Sequence, residues 1–148
     1  MEPFPPRAAE NRGGQRVIPA AGAIVFDELR RILLIQRGRE PARGLWSIPG
    51  GKCLPDESPA DCCVREALEE TGISVGVLRF AGRVERDAPS GGVFVIDDFV
   101  CIPNSPPAKV SANDDADDAG WFTHEAMLSL PLVDGLVEAL TLWDALPD

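Results

Sequence analysis

The chain has 148 residues, one ordinary domain rather than two, and its hydrophobic fraction of 45% supports a real core. It carries 24 acidic residues against 14 Lys and Arg, a formal charge of −10. A surface that acidic repels phosphate backbones, so duplex nucleic acid is not an expected partner, although clustered carboxylates that first collect divalent cations can still receive phosphates.

Residues 1–16 mix Pro, Gly, Arg and Asn and predict a flexible N-terminal segment, leaving 17–148 as a single domain. Val17–Phe26 is β-rich, Arg31–Arg37 is a short apolar strand, and Asp27–Arg30 between them has the character of a hairpin connection. Gly38–Pro55 holds four Gly and three Pro, which forbids long regular structure, and a long irregular loop in a compact domain is usually functional. A helix is predicted over Pro59–Thr71. Ser58 is its N-cap, Pro59 suits its first position, Asp61 lies near the positive end of the dipole, and Gly72 closes it as a left-handed cap. Strands follow at Ile73–Phe80, Val93–Cys101 and Gly120–Phe122, separated by turn clusters at 88–92 and 103–107. A short helix starts near Thr123, and Leu132, Leu136, Leu140 and Trp143, with Val133 and Val137, make a helical apolar stripe. The pattern is α/β, a mixed sheet sandwiched by helices.

No stretch approaches the roughly 20 apolar residues that cross a bilayer. The N-terminal residues show neither an apolar signal core nor a small-residue cleavage pattern, so a membrane partner is not expected and a cytoplasmic location is. Cys53, Cys62, Cys63 and Cys101 have no C-x-x-C spacing, which points to reduced thiols rather than zinc or a redox motif.

The 59–71 helix is where chemistry concentrates. On a helical wheel Glu66, Glu69 and Glu70 share one face, and Ala60, Val64, Ala67 and Leu68 occupy the opposite one, the predicted core face. Like charges three and four residues apart destabilise an isolated helix by roughly 0.2–0.5 kcal/mol each, which Arg65 offsets in part. A solvated acidic face is the plain alternative. Gly50-Gly51 just upstream and Glu57 in the connecting loop favour the other reading: a loop carbonyl plus several carboxylates is an all-oxygen cage suited to Mg²⁺ or Mn²⁺. Asp97 and Asp98 follow a run of apolar strand residues, and alternation predicts one inward and one outward.

Gly51, Glu57, Arg65-Glu66, Ala67, Glu69-Glu70, Gly72 and Ile73 fall in register, without a gap, on the pattern G-x5-E-x7-R-E-U-x-E-E-x-G-U, U being apolar. This resembles the Nudix box. Gly44–Lys52 ahead of it, Trp121-Phe122 and Leu130-Pro131-Leu132 extend the likeness over about residues 17–143. The resemblance implies a Nudix-type α/β/α sandwich with a mixed central sheet and a Mg²⁺-dependent pyrophosphohydrolase, with Mn²⁺ as a substitute. Carried over by position, Glu66, Glu69 and Glu70 would hold metal, the Gly51 carbonyl would add a ligand, and Glu57 would be a secondary or water-mediated one. Arg65 would orient the glutamates. Asp118, three residues before Trp121, stands where the family often places an acid, and is a candidate base or ligand against a solvated acidic loop over 113–118. Arg37, Arg39 and Arg43 are candidate phosphate contacts against ordinary surface arginines. Trp46 is a candidate base-stacking residue against a role as a loop-anchoring core side chain. Asp56 replaces a Gly common in the family, so a turn of another shape is expected there.

The implied substrate is a small-molecule nucleotide: ADP-ribose or a related nucleotide sugar first, as in the small ADP-ribose pyrophosphatase-like branch, which this compact layout resembles. The alternatives are an ordinary or oxidised nucleoside triphosphate, as for a nucleotide-pool-sanitising enzyme, and a non-catalytic ADP-ribose-binding sensor. A homodimer is left open.

Overall fold

The computed structural model describes residues 4, 11–89 and 91–148. The first apolar run forms the long strand β2 (Gln15–Val25), and β1 (Asn11–Arg12) folds back on it through Gly13 and Gly14, whose φ values of 57° and 84° suit glycine. Residues 11–16 of the expected flexible segment are therefore a hairpin, while residues 1–3 and 5–10 lie outside the described residues. The chain continues as β3 (Ile32–Arg37), β4 (Trp46–Ser47), β5 (Gly50–Lys52), α1 (Pro59–Thr71), β6 (Val75–Asp87), β7 (Val93–Pro103), β8 (Ala116–Phe122), α2 (His124–Leu128) and α3 (Leu136–Leu142).

In the larger sheet β2 pairs in parallel with β7, from Val17 opposite Val93 to Val25 opposite Cys101. β5 pairs antiparallel with β2, and β6 runs antiparallel to β7, so the sheet is mixed. A smaller antiparallel sheet has the order β4-β3-β8. β2 carries apolar residues on both faces because both are covered. Ala21, Ala23 and Val25 pack with Phe99 against Cys62, Cys63 and Ala67 of α1. Ile24 and Val100, on the other face, pack against Met127 of α2 and Leu136 and Leu140 of α3. This is the expected α/β/α sandwich.

Several segments differ from their predicted bounds, and β8 begins at Ala116 rather than Gly120 because β3 pairs with it back to Arg37. β6 runs through to Asp87 because β7 offers it partners as far as Val93, at the expense of two register shifts. The 38–55 loop contributes β4 and β5, each short enough to fit between its Gly and Pro residues. The 132–143 stripe is helical only from Leu136. Gly135, at φ 84°, starts the helix, while the Val133 N–H donates to the Trp46 carbonyl at 3.0 Å and extends that segment beside β4.

Asp97 and Asp98 are both buried, at 2% and 6% exposure, because β7 is covered on both faces. Asp97 lies opposite Arg83 in the ladder and accepts from its Nε at 2.6 Å and its Nη2 at 3.1 Å. Asp98 points to the other face and, among the described residues, makes no such ion pair.

Candidate active site

The site is assembled around α1. The Ser58 hydroxyl accepts from the Asp61 N–H at 3.1 Å, and at the far end Gly72, at φ 75°, donates to the Leu68 carbonyl at 2.9 Å. Both predicted caps are present. The faces of the helix differ from the wheel. Glu70 is 6% exposed and Leu68 is 50% exposed, so Glu66 and Glu70 lie along the packed edge rather than opposite the core, while Glu69 stays exposed. The reason is the glycine pair: β5 has no side chain at Gly50 or Gly51, and the helix sets its acids into that space. A Cβ on Gly51 would stand 2.6 Å from Glu66 Cδ and 2.7 Å from each of its carboxylate oxygens. Gly51→Ala should therefore swing Glu66 away and lower kcat by about 100-fold with the circular dichroism spectrum unchanged. Retained activity would show that Glu66 need not stand there.

Arg65 organises the remaining acids. Its Nε and Nη2 donate to the two Glu57 oxygens at 2.8 and 3.0 Å, and Nη1 reaches Glu66 Oε1 at 2.9 Å and Glu69 Oε2 at 3.1 Å. The Arg65 hydrogen bonds hold the Glu57 carboxyl below its ordinary value, and Glu57 in turn raises Arg65. Glu57 also accepts from the Leu54 N–H at 3.0 Å. Both its oxygens are thus taken up in holding Arg65 and the turn, which fits a supporting place better than a metal ligand. Asp56 occupies the left-handed region, at φ 64°, that a Gly would also favour there, so the turn is built without one.

Glu70 is the unusual member. Burial first, and its hydrogen bond to Glu66 second, push its carboxyl up to about 8, while the Gly50 N–H and Arg37 pull the other way. Its Oε2 is buried without a hydrogen-bond partner. An orphaned carboxylate oxygen beside a second carboxylate and a loop carbonyl is an all-oxygen donor set that fits a hard divalent cation. Arg65 draws Glu69 outward, so the three box glutamates do not converge on one point. Among the described residues, the one trio of such side chains with ligand atoms mutually within 4.8 Å is Cys53, Glu57 and Cys62. Its Cys62 thiol is held far above the ordinary value by Cys53 and by burial, and it donates to the Gly51 carbonyl at 3.6 Å.

A cavity of about 880 Å³ opens beside these residues. Gly51, Glu66, Glu70 and Arg37 line it, as does Arg39, which is paired with Asp115. Three other sequence candidates lie apart from it. Arg43 is exposed on the loop beside Glu40. Asp118 sits on β8 opposite Gln36, exposed, with its Oδ1 taken by the Ala119 N–H at 2.8 Å. Trp46 is 8% exposed and packs edge-on against Phe122 with centroids 5.2 Å apart, which is the loop-anchoring alternative. Sequence reasoning did not name Asp98, Arg86 and Trp143, which also line the cavity, as site residues. An acid inside an otherwise apolar strand was the only hint of Asp98.

The model of the NUDIX domain family matches residues 16–142. The chain belongs to the Nudix family. Among its relatives, human nucleoside diphosphate-linked moiety X motif 6 is 33% identical over 96 residues, covering 65% of this chain and 30% of that protein. A putative 8-oxo-dGTP diphosphatase of Bacillus subtilis is 41% identical over 66 residues, covering 45% of this chain and 42% of that protein. The solution structure of the E. coli ORF135 protein superposes with a TM-score of 0.71 at 28% identity, covering 91% of this chain and 96% of that one. The chain spans less than half the length of both curated relatives. Among the described residues, no helix of this Nudix domain is long and apolar enough to cross a membrane.

Proposed function

We propose that this Nudix domain hydrolyses a phosphoanhydride bond of a nucleoside di- or triphosphate, using a divalent cation held by Glu66, Glu70 and the Gly51 carbonyl. The observation that carries this reading is the buried, unpartnered Glu70 Oε2, hydrogen-bonded through its carboxyl to Glu66 at the edge of a nucleotide-sized cavity. When bound, Mg²⁺ or Mn²⁺ would neutralise the phosphate charge and acidify a water. The chain's own residues do the positioning. Arg65 fixes Glu66 and Glu69, and Arg37 and Arg39 at the rim suit phosphate oxygens.

Triphosphates come first because the Bacillus subtilis relative is named for one, and ADP-ribose, the first expectation from the compact layout, becomes the second reading. A panel of GTP, 8-oxo-dGTP, CTP and ADP-ribose with Mg²⁺ or Mn²⁺, read by product identity, tests it. Release of a nucleoside monophosphate with pyrophosphate is expected. Turnover of ADP-ribose alone would transfer the assignment to nucleotide sugars, and binding without turnover of any would make the domain a sensor.

A further inference from the structure

Asp98 has no structural task. It stands on β7 between two glycines, Gly22 of β2 and Gly82 of β6. A Cβ at Gly22 would collide with Asp98 Oδ1 and stand 2.9 Å from Ile48 Cδ1, and a Cβ at Gly82 would run into the Trp143 indole. The strands on either side thus leave room for one carboxyl and one flat aromatic ring. Gly22, Ile48, Asp98 and Trp143 all line the cavity, beyond the box carboxylates. Asp98 is 6% exposed, and its Oδ1 is buried with no hydrogen-bond partner. Asp97, its equally buried neighbour, has Arg83. A buried polar atom left without a partner is destabilising, and such groups persist where a ligand completes them.

We propose that Asp98 selects the nucleobase, accepting an N–H from the exocyclic amino group of an amino-bearing base (guanine, adenine or cytosine) held against Trp143. The inference rests on the nucleotide-hydrolase reading of the cavity. A carboxylate is an acceptor only, so the oxo counterpart of such a base would set carbonyl oxygen against carboxylate oxygen. Burial, and Asp97 second, push the Asp98 carboxyl up to about 7, with Arg86 of β6 opposing, so a test at pH 8 finds it largely ionised. A site built to bond an N–H rejects the analogue lacking it far more strongly than an apolar pocket separates two shapes.

Titration calorimetry at pH 8 with the pairs CMP/UMP, GMP/IMP and AMP/IMP tests this on the wild type, Asp98→Asn and Asp98→Leu. The wild type should bind the amino member of at least one pair about tenfold or more tightly than the partner that lacks that amino group. Asp98→Leu should bring that ratio close to one, and Asp98→Asn, which keeps a carbonyl acceptor, should retain part of it. Both variants should melt at or above the wild-type temperature, because each removes an unpaired buried charge. A lower melting temperature in both would show a structural role and overturn the proposal. An unchanged ratio in Asp98→Leu, or no amino preference in the wild type, would overturn it while leaving the nucleotide reading intact. Failure of the wild type both to bind any of these nucleotides and to hydrolyse any nucleotide in the substrate panel would overturn both.

Discussion

Glu70→Gln should lower hydrolysis by about 1000-fold or more and, in the metal-free protein at pH 8, raise the melting temperature. The two effects have one origin. In the wild type the Glu70 carboxyl ionises near 4.5 when unfolded but is pushed up to about 8 in the fold, by burial first and Glu66 second. Between those values the folded chain holds a proton that the unfolded chain has lost. The corresponding stability is fully present below pH about 4.5 and is lost as pH rises through about 8. Gln cannot ionise and can donate its amide to Glu66, so the variant's melting temperature should show a flatter decline over that range. A divalent cation takes the proton's place, so added Mn²⁺ should restore wild-type stability at pH 8 and do much less for the variant. Scanning calorimetry from pH 5 to 8, with and without metal, reads this directly. If the variant stays active, or if metal stabilises both equally, Glu70 does not hold the cation.

Arg83→Ala should destabilise the fold by about 3 kcal/mol, toward the lower end of what breaking a buried ion pair costs. Asp97 is 2% exposed and takes two hydrogen bonds from Arg83, so without the guanidinium it must lose its charge or draw in water. The value sits low because the Arg83 side chain keeps 33% of its surface exposed, and solvent screens the pair from that side. The asymmetry is the sharper test. Asp97→Asn leaves the cation at the solvent edge, where water can receive it, and should cost clearly less. Urea unfolding of the two variants distinguishes the cases. Equal losses would mean that packing rather than charge holds the pair together.

Much of the site was legible before any coordinates. The box residues define a helix with both caps, and the spacing of Glu66 and Glu70, one turn apart, brings their carboxyls together on any α-helix. Glu57 and Arg65 could be connected to the site by position, but their bidentate geometry could not. The choice among arginines was not legible either. Arg37 ends β3 and Arg39 and Arg43 follow in the loop, and only the path of that loop beside β4 and Asp115 takes Arg39 to the cavity and leaves Arg43 in solvent. The two tryptophans were decided in the same way. The sequence leaves Trp46 as a wall or core residue and Trp143 as part of an apolar helical stripe, and strand pairing together with the start of α3 at Leu136 puts Trp46 in the core and Trp143 on the cavity.

The opening charge of −10 has divided into parts with different fates. By itself the sequence determined the chemistry available: a helix carrying Glu66, Glu69 and Glu70, an upstream glycine pair, and an apolar strand with two acids in it. These are matters of local periodicity, capping and residue type, which depend on neighbours within about a turn or two. Tertiary structure alone decided which acids lost their water. Burying both faces of β7 and seating α1 over two glycines put Glu70, Asp97 and Asp98 inside, gave one of them a cation, and left the other two each with an oxygen unpaired. Desolvation is set by atoms far away in the chain, so no local pattern carries it, and it is what separates a charge that only repels from one positioned to take a metal ion or a base.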